Sequence, residues 1–483
     1  MHLYNRLGSG RSTALAVGGA VLAGADIRGF STDRRGGGAN GLLATAAGAL
    51  GSLAEILILP PIVLAVFVGQ LNGTYVEVGL VSAIAVGFWA VARVPAGLLV
   101  AVQRRKQPWA LAGILVRAAA LALLALISFR SVGAGDGFLR SFFICLAAYA
   151  LASGFASVPT EALVAKAVPN AVRARFYRQR GFWGIVAAVG GALVVSQVFR
   201  EGGPGFPRQY ALLFLAATVC QVAIAVFLAS IREPVRVSER RSAALPVLQA
   251  VPAAFADRNL RRFLLFRMLL ALTAAIDPFL IIFAFARLGA STGAVGGYVL
   301  AYVLGILMSQ PVWVAIAHRA GERASLQSAA LLRLAPPLLA LVLPSLASTG
   351  LWRDRFAGGP LLEIVFGVAF WGIGASSAAQ ARGTFGYLAE FAPFRLRAAY
   401  AFATNAALAV VAFAPIAAGL LVERAGFDAL FLVAAVVGVL AVFASGALAN
   451  TFVRVRTRSA SGPGVAVTAP STVAPAVAVR EGR

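Results

Sequence analysis

The sequence predicts an all-α polytopic membrane protein whose 12 transmembrane helices form two six-helix parallel pseudo-repeats. Three observations predict it. Of the 483 residues, 60% are apolar and only 12% are charged, whereas a soluble chain carries about a quarter charged residues. The apolar residues gather in a dozen runs, each near or above the roughly 20 residues that one bilayer crossing needs. The second half of the chain also echoes the first at nearly one offset. Together these exclude a soluble enzyme, a disordered chain and a membrane β-barrel, whose strands alternate polarity.

Residues 1–42 are polar, glycine-rich and basic and read as an N-terminal cytoplasmic tail. Within them Thr13–Ala25 is apolar but too short to span. With Arg6 and Arg11 before it and Ala23-Gly24-Ala25 at its end, this stretch imitates a signal peptide. It is read as part of the tail, because cleavage would reverse the orientation that the charges give. The first six spans fall at 43–70, 76–102, 109–129, 141–167, 181–199 and 209–231, a bundle over 43–231. A polar, basic cytoplasmic linker, 232–262, follows, with an amphipathic piece at Leu245–Phe255. Six more spans fall at 263–287, 292–317, 324–347, 359–386, 398–423 and 427–450, a second bundle over 263–450. The tail 451–483, rich in Ser, Pro, Ala and Val, reads as disordered and cytoplasmic.

The charges set the orientation. The two tails and the five loops on their side carry 29 basic residues, with Lys166 at the end of span four counted among them; the opposite loops carry eight. Without the tails the ratio is still 19 to 8. By the positive-inside rule both termini face the cytoplasm. The net charge of +24 therefore reflects membrane orientation rather than a nucleic-acid partner. Cys145 and Cys220 lie inside apolar runs and read as buried thiols.

The repeat is carried by matched Pro, Gly and Arg. At an offset of 217, Pro61 falls on Pro278, Leu71 on Leu288 and Val78-Gly79 on Val295-Gly296. At 216, Pro95 falls on Pro311 and Arg117 on Arg333. At 224, Pro169 and Arg173 fall on Pro393 and Arg397. Each half is then a six-helix unit, and the halves are parallel repeats about an axis normal to the membrane.

With these features on the page the chain resembles the major facilitator superfamily over 43–450. Gly154-x4-Pro159-x9-Pro169-x3-Arg173 looks like that family's pattern between spans four and five. His318-Arg319-Ala320-Gly321-Glu322-Arg323 looks like its Asp-Arg-x-Gly-x-Arg loop motif, with Arg104-Arg105-Lys106 as the first-half counterpart. In the family these loops take part in gating. The motif's aspartate is replaced here by His318, and by Ala101 or Val102 in the first half, which puts the usual gating lock in doubt. The resemblance implies a secondary active transporter with a central cavity lined by the first and fourth helices of each half. It further implies a monomer in a bacterial cytoplasmic (inner) membrane.

Ionisable groups within spans are costly in lipid and so mark candidate sites. Glu55 lies in span one and Asp277 in span seven, beside Pro60-Pro61 and Pro278. A carboxylate in a low-dielectric cavity can bind and release a proton at useful pH. Two readings compete for both: proton coupling or binding of a cationic substrate, and a buried structural ion pair. Glu161, Arg93 and Arg117 lie at similar depths in the first half and read as a structural charge network; Arg333, the mate of Arg117, reads as scaffold. In span ten Trp371, Gly374 and Ser377 share a face, with Gln380 and Arg382 beyond them. Trp371, Ser377, Gln380 and, on span four, Tyr149 are candidate cavity-lining residues, against ordinary helix packing through small residues. Gln221 is a weaker candidate, and the sequon Asn72-Gly-Thr74 reads as chance.

No phosphate-cradling loop, metal-spaced His/Cys cluster or nucleophile elbow is present in the sequence, so no cofactor, metal or catalytic residue is expected. The expected partners are a small-molecule solute, protons and the lipid bilayer, with no nucleic acid. The expected function is proton-coupled transport by alternating access, with efflux as the first guess for direction. The alternative is a transporter-like protein that no longer transports and serves as an assembly, lipid-handling or pigment-handling factor.

Overall fold

In a bilayer no water satisfies the peptide groups, so each crossing folds as a helix that bonds its own backbone. The computed structural model describes residues 37–130, 136–200, 202–234, 244–350 and 361–450, and no strand occurs among them. The helices are α1 (Gly37–Leu57), α2 (Ala65–Gln70), α3 (Tyr75–Ala83), α4 (Trp89–Val102), α5 (Gln107–Arg130), α6 (Asp136–Ala167), α7 (Arg173–Phe199) and α8 (Arg208–Ser230). There follow α9 (Ala244–Ala256), α10 (Arg258–Leu272), α11 (Asp277–Leu288), α12 (Ala294–Leu332), α13 (Ala335–Ser348), α14 (Leu361–Phe391), α15 (Arg397–Val411) and α16 (Ala414–Gly446). The Thr13–Ala25 stretch and the C-terminal tail lie outside the described residues.

Among the described residues 10 helical runs are long and apolar enough to cross a membrane. Two of them, Ala294–Ser348 and Arg397–Gly446, run for 55 and 50 residues. A 50-residue helix would extend roughly 75 Å, against a hydrocarbon core of about 30 Å. Each is broken at one glycine, Gly321 (φ 86°, ψ 169°) and Gly426 (φ 81°, ψ 177°). Only a residue without a Cβ takes that backbone shape at low cost. The breaks fall where the sequence places the turn between 317 and 324 and the turn between 423 and 427.

Other boundaries have local causes. Pro60 and Pro61 give no N–H to the ladder, so α1 ends at Leu57 and the chain passes through a wide turn at Pro60–Leu64 before α2. Thr74 caps α3: Glu77 N donates to Thr74 Oγ1 at 3.2 Å, and Thr74 N donates to Glu77 Oε2 at 2.7 Å. The threonine of the sequon is thus a helix cap. Asp257 accepts from Asn259 N at 2.7 Å, which starts α10 five residues before the expected 263. The amphipathic linker piece is α9.

Helix α7 begins at Arg173, eight residues before the expected 181. The preceding turn is the matched motif, and it is built alike in both halves. A single 3₁₀ turn follows each proline, at Asn170–Val172 and Phe394–Leu396. Arg173 Nη2 then donates to Ala165 O at 2.8 Å, and Arg397 Nη2 to Ala389 O at 2.8 Å. Each guanidinium caps the open carbonyl end of the preceding helix, where positive charge is favoured.

The end of the molecule opposite these turns is packed with rings. Phe67 lies 4.6 to 5.9 Å, centroid to centroid, from Phe138, Phe142, Phe206, Tyr210 and Phe214. Phe283, 216 residues later, lies 5.1 to 5.9 Å from Phe366, Phe427 and Phe431. The two halves of the chain meet at this same end. A Cβ on Gly79 would sit 2.1 Å from Pro415 O, one on Gly419 2.4 Å from Tyr75 O, and one on Gly296 2.3 Å from Ser196 Cα. Glu423 Oε1 also accepts from Val76 N at 3.1 Å, capping α3 from across the seam. Cys145 and Cys220 are buried free thiols.

Candidate functional site

A cavity of about 1480 Å³ lies among α1, α4, α6 and α7, with Tyr302 and Ile306 of α12 on its far wall. It reaches the surface at the end that carries the Pro169–Arg173 turn, where Glu161 on its lining is 63% exposed. It extends as far as Leu59, Pro60 and Leu64, toward the ring-packed end.

Glu55 lines the cavity from α1 and is exposed within it. It makes no hydrogen bond or ion pair with the described residues, although Arg117 and Arg180 lie close enough to act on its charge. Arg117 Nη2 donates to Tyr149 Oη at 3.3 Å, and its guanidinium lies 5.4 Å from the Tyr149 ring centre. Arg117 Nε is buried without a partner. Tyr149 is on the cavity lining.

Glu161 pairs with Arg93 at 3.5 Å, and Arg93 also donates to Ser157 Oγ at 3.2 Å and lies 4.6 Å over Trp89. The network expected of Glu161, Arg93 and Arg117 therefore divides: Arg93 takes the carboxylate and Arg117 takes the tyrosine.

In the second half Asp277 is not open to the cavity. Arg333 Nη2 pairs with its Oδ1, and Arg333 also donates to Thr273 Oγ1 at 3.2 Å and to Thr273 O at 3.4 Å. The side chains are 3% (Arg333) and 14% (Asp277) exposed. Of the four lining candidates only Tyr149 lines the cavity. Trp371 packs into an apolar cluster with Trp313 and Ala379. Gln380 Oε1 accepts from Arg267 Nη1 at 2.9 Å, and its Nε2 donates to Ser376 Oγ at 3.1 Å. Ser377 is not on the cavity lining, and its Oγ donates to Ile373 O at 2.8 Å. Small residues on α14 bring it so close to α12 that a Cβ on Gly374 would lie 2.0 Å from Tyr302 O. Phe385 is the residue of α14 that reaches the cavity lining. Gln221, on α8, is fully buried with both amide atoms unpartnered.

The expected gating loops are pinned within their own halves. Lys106 is buried, its Nζ bonded to Val100 O and Gln103 O, and its N–H donates to Glu233 Oε1 at 2.9 Å. Glu233 also pairs with Lys166 at 3.3 Å. In the second loop Glu322 pairs with Arg382 at 3.3 Å, and Arg323 Nη2 donates to Gly446 O at 2.8 Å. Gly321 provides the break, while Arg104, Arg105, His318 and Arg319 are exposed.

Sequence reasoning missed Arg180, Tyr177 and Tyr302, all on the cavity wall. Arg173, Tyr177, Arg180 and Gly184 lie at helical spacing on the inner face of α7. The expected span began at 181 and left three of them in a loop, so their shared face was invisible.

No protein-family model and no curated protein sequence matches the chain. Solved structures do. A crystal structure of the nucleoside transporter NupG, carrying one substitution, aligns with a TM-score of 0.63 at 16% identity, over 85% of this chain and 99% of that one. A bacterial homologue of the human lysosomal transporter Spinster, in an inward-facing and unoccupied conformation, aligns at 0.61 and 12% identity over 86% and 98%. A D-xylose–proton symporter aligns at 0.58 and 16% identity over 86% and 98%. The protein is an integral membrane protein with the fold of the major facilitator superfamily.

Proposed function

We infer that the chain is a secondary active transporter that moves a small solute by alternating access, two six-helix bundles rocking about the cavity. The observation that carries this reading is the cavity itself, large and charged, together with the close contacts between the two halves at the ring-packed end. In this reading each of the two overlong helical runs crosses the bilayer twice at Gly321 or Gly426, giving 12 spans. The bundles cover 43–231 and 263–450, with 232–262 as linker. The excess of basic residues puts both termini and the cavity mouth in the cytoplasm of a bacterial inner membrane, so the structure corresponds to an inward-open state. The transporter works as a monomer.

Glu55 is the proton-coupling group of this reading. It is a carboxylate within a span, open to the cavity and bonded to nothing among the described residues. Asp277, held by Arg333, is structural. A proton on Glu55 exchanges with the cytoplasmic side, which the cavity now faces.

The test is proton movement in liposomes that hold a pH-sensitive dye. Purified protein is expected to give saturable, solute-driven proton flux with at least one member of a panel of sugars, nucleosides, organic anions and lipophilic cations. Glu55→Gln is expected to stop the proton flux and to leave solute binding in place. Solute flux with no accompanying proton movement would remove the coupling. Absence of any flux, together with one stable copurifying partner, would favour a non-transporting assembly factor.

A further inference from the structure

The charges on the cavity wall do not balance. Four arginines line it, Arg93, Arg117, Arg173 and Arg180, against two carboxylates, Glu55 and Glu161. Arg93 is matched by Glu161, and Arg173 is spent on the carbonyl end of α6. Arg117 and Arg180 remain, with Glu55 the single carboxylate near them. Arg180 makes no hydrogen bond or ion pair with the described residues. Its aliphatic stem passes over Gly48, where a Cβ would lie 2.6 Å from Nε, and this holds the head in the cavity. Arg117 rests on the face of Tyr149, a stacked geometry that arginine favours. Both guanidinium groups are partly buried on the cavity wall and lack a matching carboxylate. Their planar forks fit a carboxylate or phosphate through two parallel bonds.

The geometry points to an organic anion as the solute, its charged group held by Arg117 and Arg180 and its apolar body lying along Trp89, Tyr149, Tyr177 and Tyr302. This assignment rests on the transporter reading and names its substrate class. Apolar side chains supply most of the remaining wall, so a bare inorganic anion would fill only part of the space. A cation would meet two arginines for one glutamate and is disfavoured. With Glu55 protonated the local excess is two positive charges, and with Glu55 ionised it is one. Proton and anion therefore reinforce each other's binding.

The experiment compares four probes of one shape on the full chain in detergent: benzoate, phenyl phosphate, neutral benzamide and cationic benzylamine. Titration calorimetry is expected to show at least one anion binding tenfold or more tightly than both benzamide and benzylamine. Benzoate and phenyl phosphate tell a carboxylate ligand from a phosphate one. Arg180→Gln and Arg117→Gln are each expected to weaken the preferred anion at least tenfold, and Arg180→Lys to recover part of the loss. The wild-type comparison stands even if a Gln variant fails to fold. Benzamide or benzylamine binding as tightly as the anions overturns the assignment, and so does an absence of binding by both anions. Uptake of the labelled probe by proteoliposomes separates the two readings. Saturable flux of a neutral or cationic solute with no anion preference sinks the anion site and keeps the transporter. Anion binding that depends on the arginines, without flux of any solute, keeps the site and sinks the transporter.

Discussion

The two halves of the chain differ in how the charges beside their first helices are matched. In the second half two carboxylates in the helices are ion-paired, Asp277 with Arg333 and Glu322 with Arg382, while Arg267 is bonded to Gln380. In the first half Glu55, Arg117 and Arg180 share a cavity without closing on one another. The contrast is sharpest at the repeat mates Arg117 and Arg333. Asp277 meets Arg333, but at an offset of 216 or 217 it aligns with Pro60 or Pro61, and the first-half carboxylate stands five or six residues earlier, at Glu55. That is roughly 8 Å along a helix. One displaced carboxylate turns a structural pair into an unpaired acid beside an unpaired base.

The largest effect should come from breaking the second-half pair. Asp277→Asn leaves Arg333 charged and buried, which costs about 3–5 kcal/mol when one partner of a buried pair is lost. Glu55→Gln removes no bond among the described residues and should cost under about 1 kcal/mol, within the range of substitutions that break no contact. Both are read by unfolding in detergent. The double variant Asp277→Asn with Arg333→Gln should regain much of the loss. Equal destabilisation by Asp277→Asn and Glu55→Gln would end the distinction between the halves.

Much of this was legible beforehand. Span positions followed from apolar runs, and the turns at Gly321 and Gly426 fell where charge interrupted them. The Pro169–Arg173 and Pro393–Arg397 match was found as a string of letters and proved to be one hydrogen-bonded device used twice. The depth of Glu161 and Arg93 in their spans makes a pair between them an expectation of the sequence, as an ion pair is one of two expectations for Asp277. What stayed hidden depends on long-range contact. Nothing near Glu423 in sequence says that it caps Val76, 347 residues away. Glu233 and Glu322 looked like loop charges, yet each seats the loop that lacks the family's aspartate. Trp371 and Gln380 have the right composition for a cavity, but the close approach of α14 to α12 buries that face, and no single helix reports its neighbour's distance.

The shared turn sharpens the comparison, because here the halves should behave alike. Arg173→Ala and Arg397→Ala each remove a charged donor from a helix end, worth about 1.5–3 kcal/mol apiece. The two losses should add within about 0.5 kcal/mol in the double variant, as expected for distant, independent sites. The check is unfolding of both single variants and the double. A costly Arg397→Ala beside a silent Arg173→Ala would mean that the likeness is one of form and not of energetics.

The smallest effect belongs to the one ion pair at the cavity mouth. Arg93 and Glu161 stand 3.5 Å apart with side chains 28% and 63% exposed. Such pairs contribute about 0–1 kcal/mol, because water screens them and two long side chains must be held still. Arg93 also keeps Ser157 and the Trp89 ring when the carboxylate goes. Glu161→Gln should therefore leave stability within about 0.5 kcal/mol of wild type. Its reading is electrostatic instead. It removes one of two carboxylates from the cavity wall, so an anion such as benzoate should bind at least as tightly as before at low ionic strength. The gain should fade near 1 M salt, where the screening length is about 3 Å. Glu322→Gln, on a pair only 9% and 14% exposed, leaves Arg382 without its ion-pair partner and should destabilise several-fold more. A mouth pair as costly to break as the Glu322 pair would show that the first half, too, is held together by its charges.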